Sequence, residues 1–150
     1  MPRVQMVTRA PVTVLALVMS ALFVAAGTAG FIPGLTADHD AMEFAGHTSG
    51  ALLFGVFQVS TLHNLVHLAF GIAGLAVARS VRGGTLFLVL GGIAYLLLWV
   101  YGLLIDLGGA ANLLPVNTAD NWLHVLTGVA MITLGLALGR QVAPTEADAR

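Results

Sequence analysis

Long apolar runs without charge constrain this chain more than any other feature. The first run, from Ala10 to Ile32, has about 23 residues and no charged side chain, which is long enough to cross a bilayer as a helix. Three similar runs follow, and Pro33-Gly34 ends the first one. We therefore predict an all-α integral membrane four-helix bundle over residues 1–140, with spans at 10–32, 61–78, 85–106 and 118–139.

Composition agrees with a membrane protein. The 150 residues are 58% hydrophobic and only 9% charged, and the mean hydropathy is +0.94, whereas soluble domains are near one quarter charged. The chain has no cysteine, so disulfides and thiolate metal sites are excluded. A net charge of −1 gives no electrostatic attraction for nucleic acid. The expected partners are the lipid bilayer and, beyond it, a second copy of the chain or a larger membrane complex.

The positions of the basic residues predict the orientation in the membrane. All six are arginines, and they precede the first span, separate the second from the third, or follow the fourth: Arg3, Arg9, Arg79, Arg82, Arg140 and Arg150. Basic residues favour the cytoplasmic side. We expect a multi-pass protein of the inner or plasma membrane with both termini in the cytoplasm, ending in a disordered tail at 141–150. Arg79 to Gly84 is predicted to be a tight basic turn.

The segment between the first two spans is longer and more polar than the other connections. Residues 36–50 have the composition of a water-exposed loop, and residues 51–58 are apolar but too short to span as a helix. We predict that 51–58 is an interfacial or re-entrant piece over the bundle end. Ser60 or Thr61 is expected to cap the second helix, and Asn117 or Thr118 the fourth.

The chain repeats a polar motif at the start of two spans. Val59 to Ala73 aligns with Val116 to Ala130 at an offset of 57 residues, with six identities: Val59/Val116, Thr61/Thr118, Asn64/Asn121, His67/His124, Gly71/Gly128 and Ala73/Ala130. The two halves then run in the same direction through the membrane. This pattern predicts two parallel helical-hairpin repeats, the first with the longer outer loop.

Within each repeat, polar and small residues recur at helical spacing. The second span carries His63, His67, Gly71 and Gly74, and the fourth carries Asp120, His124, Gly128 and Gly135. Steps of three and four residues place each set on one helix face. Since small residues allow close helix contact, we expect the second and fourth spans to meet along these faces.

If those faces meet, His63, His67, Asp120 and His124 converge near the outer end of the bundle. Three imidazoles and a carboxylate are a suitable ligand set for zinc, iron or copper. An alternative uses His67 and His124 alone, as axial ligands of haem b or as the walls of a quinone site. A third interpretation is structural, with the histidines, Asn64 and Asn121 hydrogen-bonding between helices.

The sequence has few signs of catalysis. It has no cysteine nucleophile, no G-x-S-x-G, no phosphate loop and no H-E-x-x-H. We expect a protein without enzymatic activity that binds a metal or small ligand at the outer His/Asn/Asp cluster, or an accessory subunit stabilised by that cluster. The rival hypothesis is a redox protein that holds haem or quinone.

Three stretches carry a resemblance to a known family. They are LFGVFQVSTLHNLVHLAFGIAGLA, YLLLWVYGLLID and NLLPVNTADNWLHVLTGVAMITLG. Together they resemble a family of small four-helix membrane proteins, abundant in actinobacteria and catalogued as a domain of unknown function (4383). The resemblance covers nearly all of the chain between the first and fourth spans. It implies the four-span topology and the importance of the two polar motifs, and it implies no activity.

Overall fold

The computed structural model describes residues 10–140 and contains the four predicted helices. These are α1 (Pro11–Ala29), α2 (Thr61–Val77), α3 (Val81–Leu104) and α4 (Thr118–Arg140). By length and composition α1, α3 and α4 could each cross a membrane, and α2 is a shorter apolar helix of 17 residues. The predicted tail at 141–150 and three of the six arginines lie outside the described residues.

Two helix boundaries differ from the prediction. The first helix ends at Ala29 rather than Ile32, because the chain tightens into turns in which Phe31 N–H donates to the Thr28 carbonyl. The third helix begins at Val81, since the hydroxyl of Ser80 accepts from Gly83 N–H and caps the first turn. The predicted basic turn is therefore wrong beyond Ser80, and Arg82 lies in the first turn of α3.

The helices pack mainly as two consecutive pairs, α1 with α2 and α3 with α4. Gly71 of α2 lies against α1: a Cβ there would be 2.7 Å from the Ser20 carbonyl oxygen and from Val24. Gly128 of α4 lies against α3, and a Cβ there would be 2.9 Å from the Gly92 carbonyl oxygen. Small residues therefore bring the helices of each pair into close backbone contact.

The predicted pairing of α2 with α4 along their glycine faces is wrong. Gly74 packs against Ser20 of α1 and Phe87 of α3, and Gly135 packs against Leu88 of α3. The glycines of α2 therefore contact α1, with Gly74 also contacting α3, and the glycines of α4 contact α3. The short turn joins α2 to α3, which pack only loosely, so connection length does not select the partners, and periodicity alone does not specify which neighbour a face meets.

A small antiparallel sheet covers one end of the bundle. Its strands are β1 (Thr36–Ala37), β2 (Leu52–Leu53) and β3 (Phe57–Gln58), in that order, and a 3-10 turn at His39–Ala41 follows β1. Leu53 packs with Ala29, Ala51 and Val59 in a core of its own over the end of α1. The strands are a departure from the all-α prediction, and they turn the apolar run at 51–58 into a hairpin.

Candidate functional site

The first turns of α2 and α4 meet beneath the sheet, and each carries a helix cap. The hydroxyl of Ser60 accepts from His63 N–H at 3.1 Å. At α4, the side-chain oxygen of Asn117 accepts from Asp120 N–H at 3.0 Å, and the Asp120 carboxylate accepts from Asn117 N–H at 2.8 Å. This reciprocal pair is a capping box. Thr61 and Thr118 are the first residues of their helices.

Asp120 also fixes α4 to the sheet. Its Oδ2 accepts from the backbone N–H of Gln58 in β3 at 3.0 Å, and the Asn117 amide donates to the Val56 carbonyl at 2.8 Å. The carboxylate is 2% exposed. Two backbone donors therefore satisfy one oxygen of a buried acid, and this oxygen is engaged within the protein.

The two histidines of α2 stack on each other. The rings of His63 and His67 are 4.7 Å apart at an interplanar angle of 24°. Nδ1 of His63 lies 3.2 Å from the Pro115 carbonyl oxygen, and Nδ1 of His67 lies 3.2 Å from the His63 carbonyl oxygen. Because a carbonyl only accepts, both Nδ1 atoms carry a proton and donate.

Tyr95 of α3 joins the histidines of both motifs. Its hydroxyl lies 3.2 Å from Nε2 of His67, and since the proton of that ring is on Nδ1, Nε2 accepts from the hydroxyl. The Tyr95 ring also meets the ring of His124 edge to face, at 4.9 Å and 82°. Sequence reasoning missed Tyr95; the available signal was a phenol in the middle of an apolar span, where polar groups are costly.

His124 and Asn121 of α4 are buried with unsatisfied atoms. Within residues 10–140, Nδ1 of His124 and Oδ1 of Asn121 are buried without a hydrogen-bond partner. The Asn121 amide donates to the Gly102 carbonyl at 3.2 Å. Asn64 lies in the same way against α1, where a Cβ on Gly30 would be 2.2 Å from its Oδ1. Both asparagines lie against a glycine at the end of a neighbouring helix, and Asn64 donates to Met42 Sδ at 3.7 Å.

Six rings surround a cavity of about 80 Å³, which we name the ring cavity. They belong to Phe23, Phe70, Tyr95, His63, His67 and His124. The cavity surface is almost entirely apolar. Val66 of α2 and Ala94 of α3 line it and are exposed at the bundle surface. The ring cavity therefore opens between α2 and α3, which pack only loosely together.

A second cavity of about 50 Å³, the polar cavity, lies on the sheet side of the same histidines. His63, His67 and His124 line both cavities, and Asn64 and Asp120 line only the polar one. The structure thus brings all four candidate ligands into one neighbourhood. The three imidazoles separate the ring cavity from the polar cavity, which is more polar only because Asn64 and Asp120 also line it.

No group of three or more His, Asp or Glu side chains within residues 10–140 is placed to hold a metal ion. His67 uses both ring nitrogens within the protein, and Oδ2 of Asp120 accepts from two backbone amides. Within the described residues, the imidazole nitrogens without a protein partner are Nε2 of His63 and both ring nitrogens of His124.

Fold and site together define a small helical membrane protein with a histidine-lined cavity in its bundle. Its apolar helices are suited to contact with lipid. The chain belongs to the family described as domain of unknown function DUF4383, whose model matches residues 13–137. No curated protein and no solved structure matches the chain.

Proposed function

We propose that this protein binds a small lipid-soluble molecule in the ring cavity. The observation that carries the proposal is an apolar space that opens toward lipid and is lined by six rings, three of them imidazoles. Ligand sites in proteins combine apolar walls with a few polar groups that fix orientation. Here the polar groups are His63 and His124, each of which has a nitrogen without a protein partner.

The size of the cavity limits what enters it. A cavity of about 80 Å³ is smaller than the roughly 150 Å³ cavity that accepts benzene in an engineered protein. A group narrower than a benzene ring, such as an alkyl chain, therefore fills it, and the rest of the molecule extends through the opening at Val66 and Ala94 into the membrane.

The contacts of Tyr95, His67 and Asp120 argue against the haem and metal hypotheses. A haem between His67 and His124 would require Tyr95 to leave both imidazoles, since its hydroxyl bonds one and its ring contacts the other. A haem is also much larger than the cavity. Metal binding would have to break the contacts that already occupy His67 and Asp120.

A matched pair of variants on α3 tests the proposal. Ala94 lines the opening, whereas Leu97 is 65% exposed and does not line the cavity. Ala94→Phe is expected to fill the opening and Leu97→Phe to leave it free. After purification in mild detergent and solvent extraction, mass spectrometry should find one small molecule in stoichiometric amount with the native chain and Leu97→Phe, and at least about tenfold less with Ala94→Phe. Equal amounts in the two variants would contradict the proposal.

We also propose that the bundle is built from two parallel hairpin repeats. The contacts of Gly71 with Ser20 and Val24 recur between Gly128 and residues 92 and 96, each 72 positions further along the chain. The contact of Asn64 with Gly30 likewise recurs between Asn121 and Gly102. The longer first loop, which contains the sheet, accounts for the difference from the offset of 57 residues between the polar motifs.

For the orientation, we propose a plasma-membrane protein with the sheet and both polar motifs at the outer surface. The support is that Arg79, Arg82 and Arg140 all lie at the opposite end of the bundle. Because the chain has no cysteine, Phe54→Cys and Arg79→Cys can each be labelled alone. In intact cells a membrane-impermeant maleimide should label the first and not the second. The reverse result would invert the topology.

A further inference from the structure

We propose that the polar cavity binds a water molecule, which accepts a hydrogen bond from Nε2–H of His124 and donates to Oδ1 of Asp120 and to Oδ1 of Asn64. The inference goes beyond the ligand of the ring cavity and does not depend on it. It rests on three side-chain atoms that have no protein partner, on the space that their residues line, and on the donors and acceptors that they present.

His124 is the one imidazole of the site whose proton is not placed by a protein group. The residue is 2% exposed, and within residues 10–140 neither ring nitrogen has a hydrogen-bond partner. Nδ1 is fully enclosed by protein, whereas Nε2 is not. Because a buried N–H without a partner is costly, the proton belongs on the nitrogen that a further molecule can reach, which is Nε2.

Asp120 and Asn64 each have a free acceptor beside the polar cavity. Oδ2 of Asp120 accepts from the N–H groups of Gln58 and Asn117, and no group within residues 10–140 donates to Oδ1. The Asn64 amide donates to Met42 Sδ, and its Oδ1 likewise has no donor in this range. Neither free oxygen is fully enclosed. Since both side chains line the polar cavity and not the ring cavity, the polar cavity has two acceptors to satisfy.

The polar cavity has the size and the partners that a buried water needs. Its volume is about 50 Å³, and one water needs roughly 10–15 Å³ of such space. The ring cavity is almost entirely apolar, so the reachable nitrogen of His124 belongs to the polar side. Asp120 and His124 are one helical turn apart on one face of α4, and Asn64 lies in the first turn of α2. A buried water typically makes about three hydrogen bonds, and these residues supply three.

The pattern of donors and acceptors favours water over other small ligands. An anion would face the Asp120 carboxylate without a counter-charge, because no lysine or arginine lines the polar cavity. A carbonyl compound has no hydrogen to donate to the two oxygens. A metal ion needs several ligands placed around it, and within residues 10–140 no group of three His, Asp or Glu side chains has that placement. Water supplies two donors and an acceptor.

The bound water gives His124 a different tautomer from the other two histidines of the site. His63 and His67 carry their proton on Nδ1, since each Nδ1 lies 3.2 Å from a backbone carbonyl oxygen. His124 carries its proton on Nε2 and keeps the lone pair of Nδ1. The water also connects α2 to α4 and, through Asp120, to β3 of the sheet.

Nuclear magnetic resonance of the histidine-labelled native chain in lipid nanodiscs tests the inference. Long-range 1H–15N spectra distinguish the two tautomers, and we expect Nδ1–H for His63 and His67 but Nε2–H for His124. The Hε1 proton of His124 should also show a nuclear Overhauser cross-peak with a long-lived water. Ala26→Leu adds volume at the wall of the polar cavity and should abolish this cross-peak. Ala25→Leu lies on the exposed face of the same helix and should preserve it.

Several results would overturn the inference. One is a His124 ring with its proton on Nδ1 or with two protons, and another is the lack of a water cross-peak in the native chain. A cross-peak that persists in Ala26→Leu would place the water outside the polar cavity. If stoichiometric Zn²⁺ removes the cross-peak and shifts the His124 nitrogens, the cavity is a metal site. The tautomer and the cross-peak are measured on the native chain, so both remain decisive if Ala26→Leu does not fold.

Discussion

Gly71→Val is expected to lower the free energy of unfolding by about 3 kcal/mol, the upper range for overpacking a close contact. Even a Cβ at this position would lie 2.7 Å from the Ser20 carbonyl oxygen and from the backbone nitrogen of Val24. Backbone atoms of a packed helix cannot rotate away as a side chain can. Valine would therefore force α1 and α2 apart.

The measurement is the unfolding midpoint during titration with sodium dodecyl sulfate in mixed micelles. Ala73→Val is the matched control, because Ala73 lies two residues further on the same helix and is exposed. It introduces the same β-branched side chain, and helix propensity disfavours this control while slightly favouring Gly71→Val, so propensity cannot explain a larger loss at Gly71. Equal destabilisation by the two variants would show that the close contact of α1 and α2 is not what stabilises this hairpin.

Asp120→Ala is expected to cost about 2–4 kcal/mol, since it leaves two backbone donors without their acceptor and each such loss costs about 1–3 kcal/mol. The donors are the N–H groups of Gln58 and Asn117, at 3.0 and 2.8 Å from Oδ2. The same carboxylate caps α4 and holds the sheet to it, so both contacts are lost together.

Two further variants test whether the loss of stability in Asp120→Ala comes from its carboxylate. Asp106→Ala removes an exposed carboxylate that accepts from Gly108 N–H, and it should change the unfolding free energy by less than about 1 kcal/mol. Asp120→Asn keeps one oxygen acceptor and should recover a large part of the loss. If Asp120→Ala and Asp106→Ala have the same midpoint in the detergent titration, the carboxylate does not connect the sheet to α4.

The four helices and the caps of α2 and α4 could be predicted from sequence because their causes are local. A run of apolar residues without charge requires a helix in a membrane, and Ser60 and Asn117 stand where a free amide needs an acceptor. The partner of each glycine face could not be predicted in this way. Gly71 and Gly128 look alike in the sequence, but they pack against α1 and α3 through contacts with residues far away in the sequence.

The residues of the site could be predicted from sequence, but the hydrogen bonds that they make could not. The sequence identified His63, His67, Asp120 and His124 by their spacing, and the structure gathers them around two adjoining cavities. It gave no sign that Tyr95, from a separate helix, would bond to His67. Nor could it show that Gln58 of an unforeseen strand would donate to Asp120. Both contacts arise from residues distant in sequence.

Photolabelling in nanodiscs tests the central claim, a ligand site in the ring cavity, most directly. The probe is a short alkyl compound that carries a diazirine, and the labelled residues are mapped by mass spectrometry. Labels should concentrate at the opening, on Val66, Ala94 and Leu98, and disappear there in Ala94→Phe but not in Leu97→Phe. Labels spread evenly over the lipid-exposed residues of α1 and α4, and unchanged in Ala94→Phe, would contradict the account.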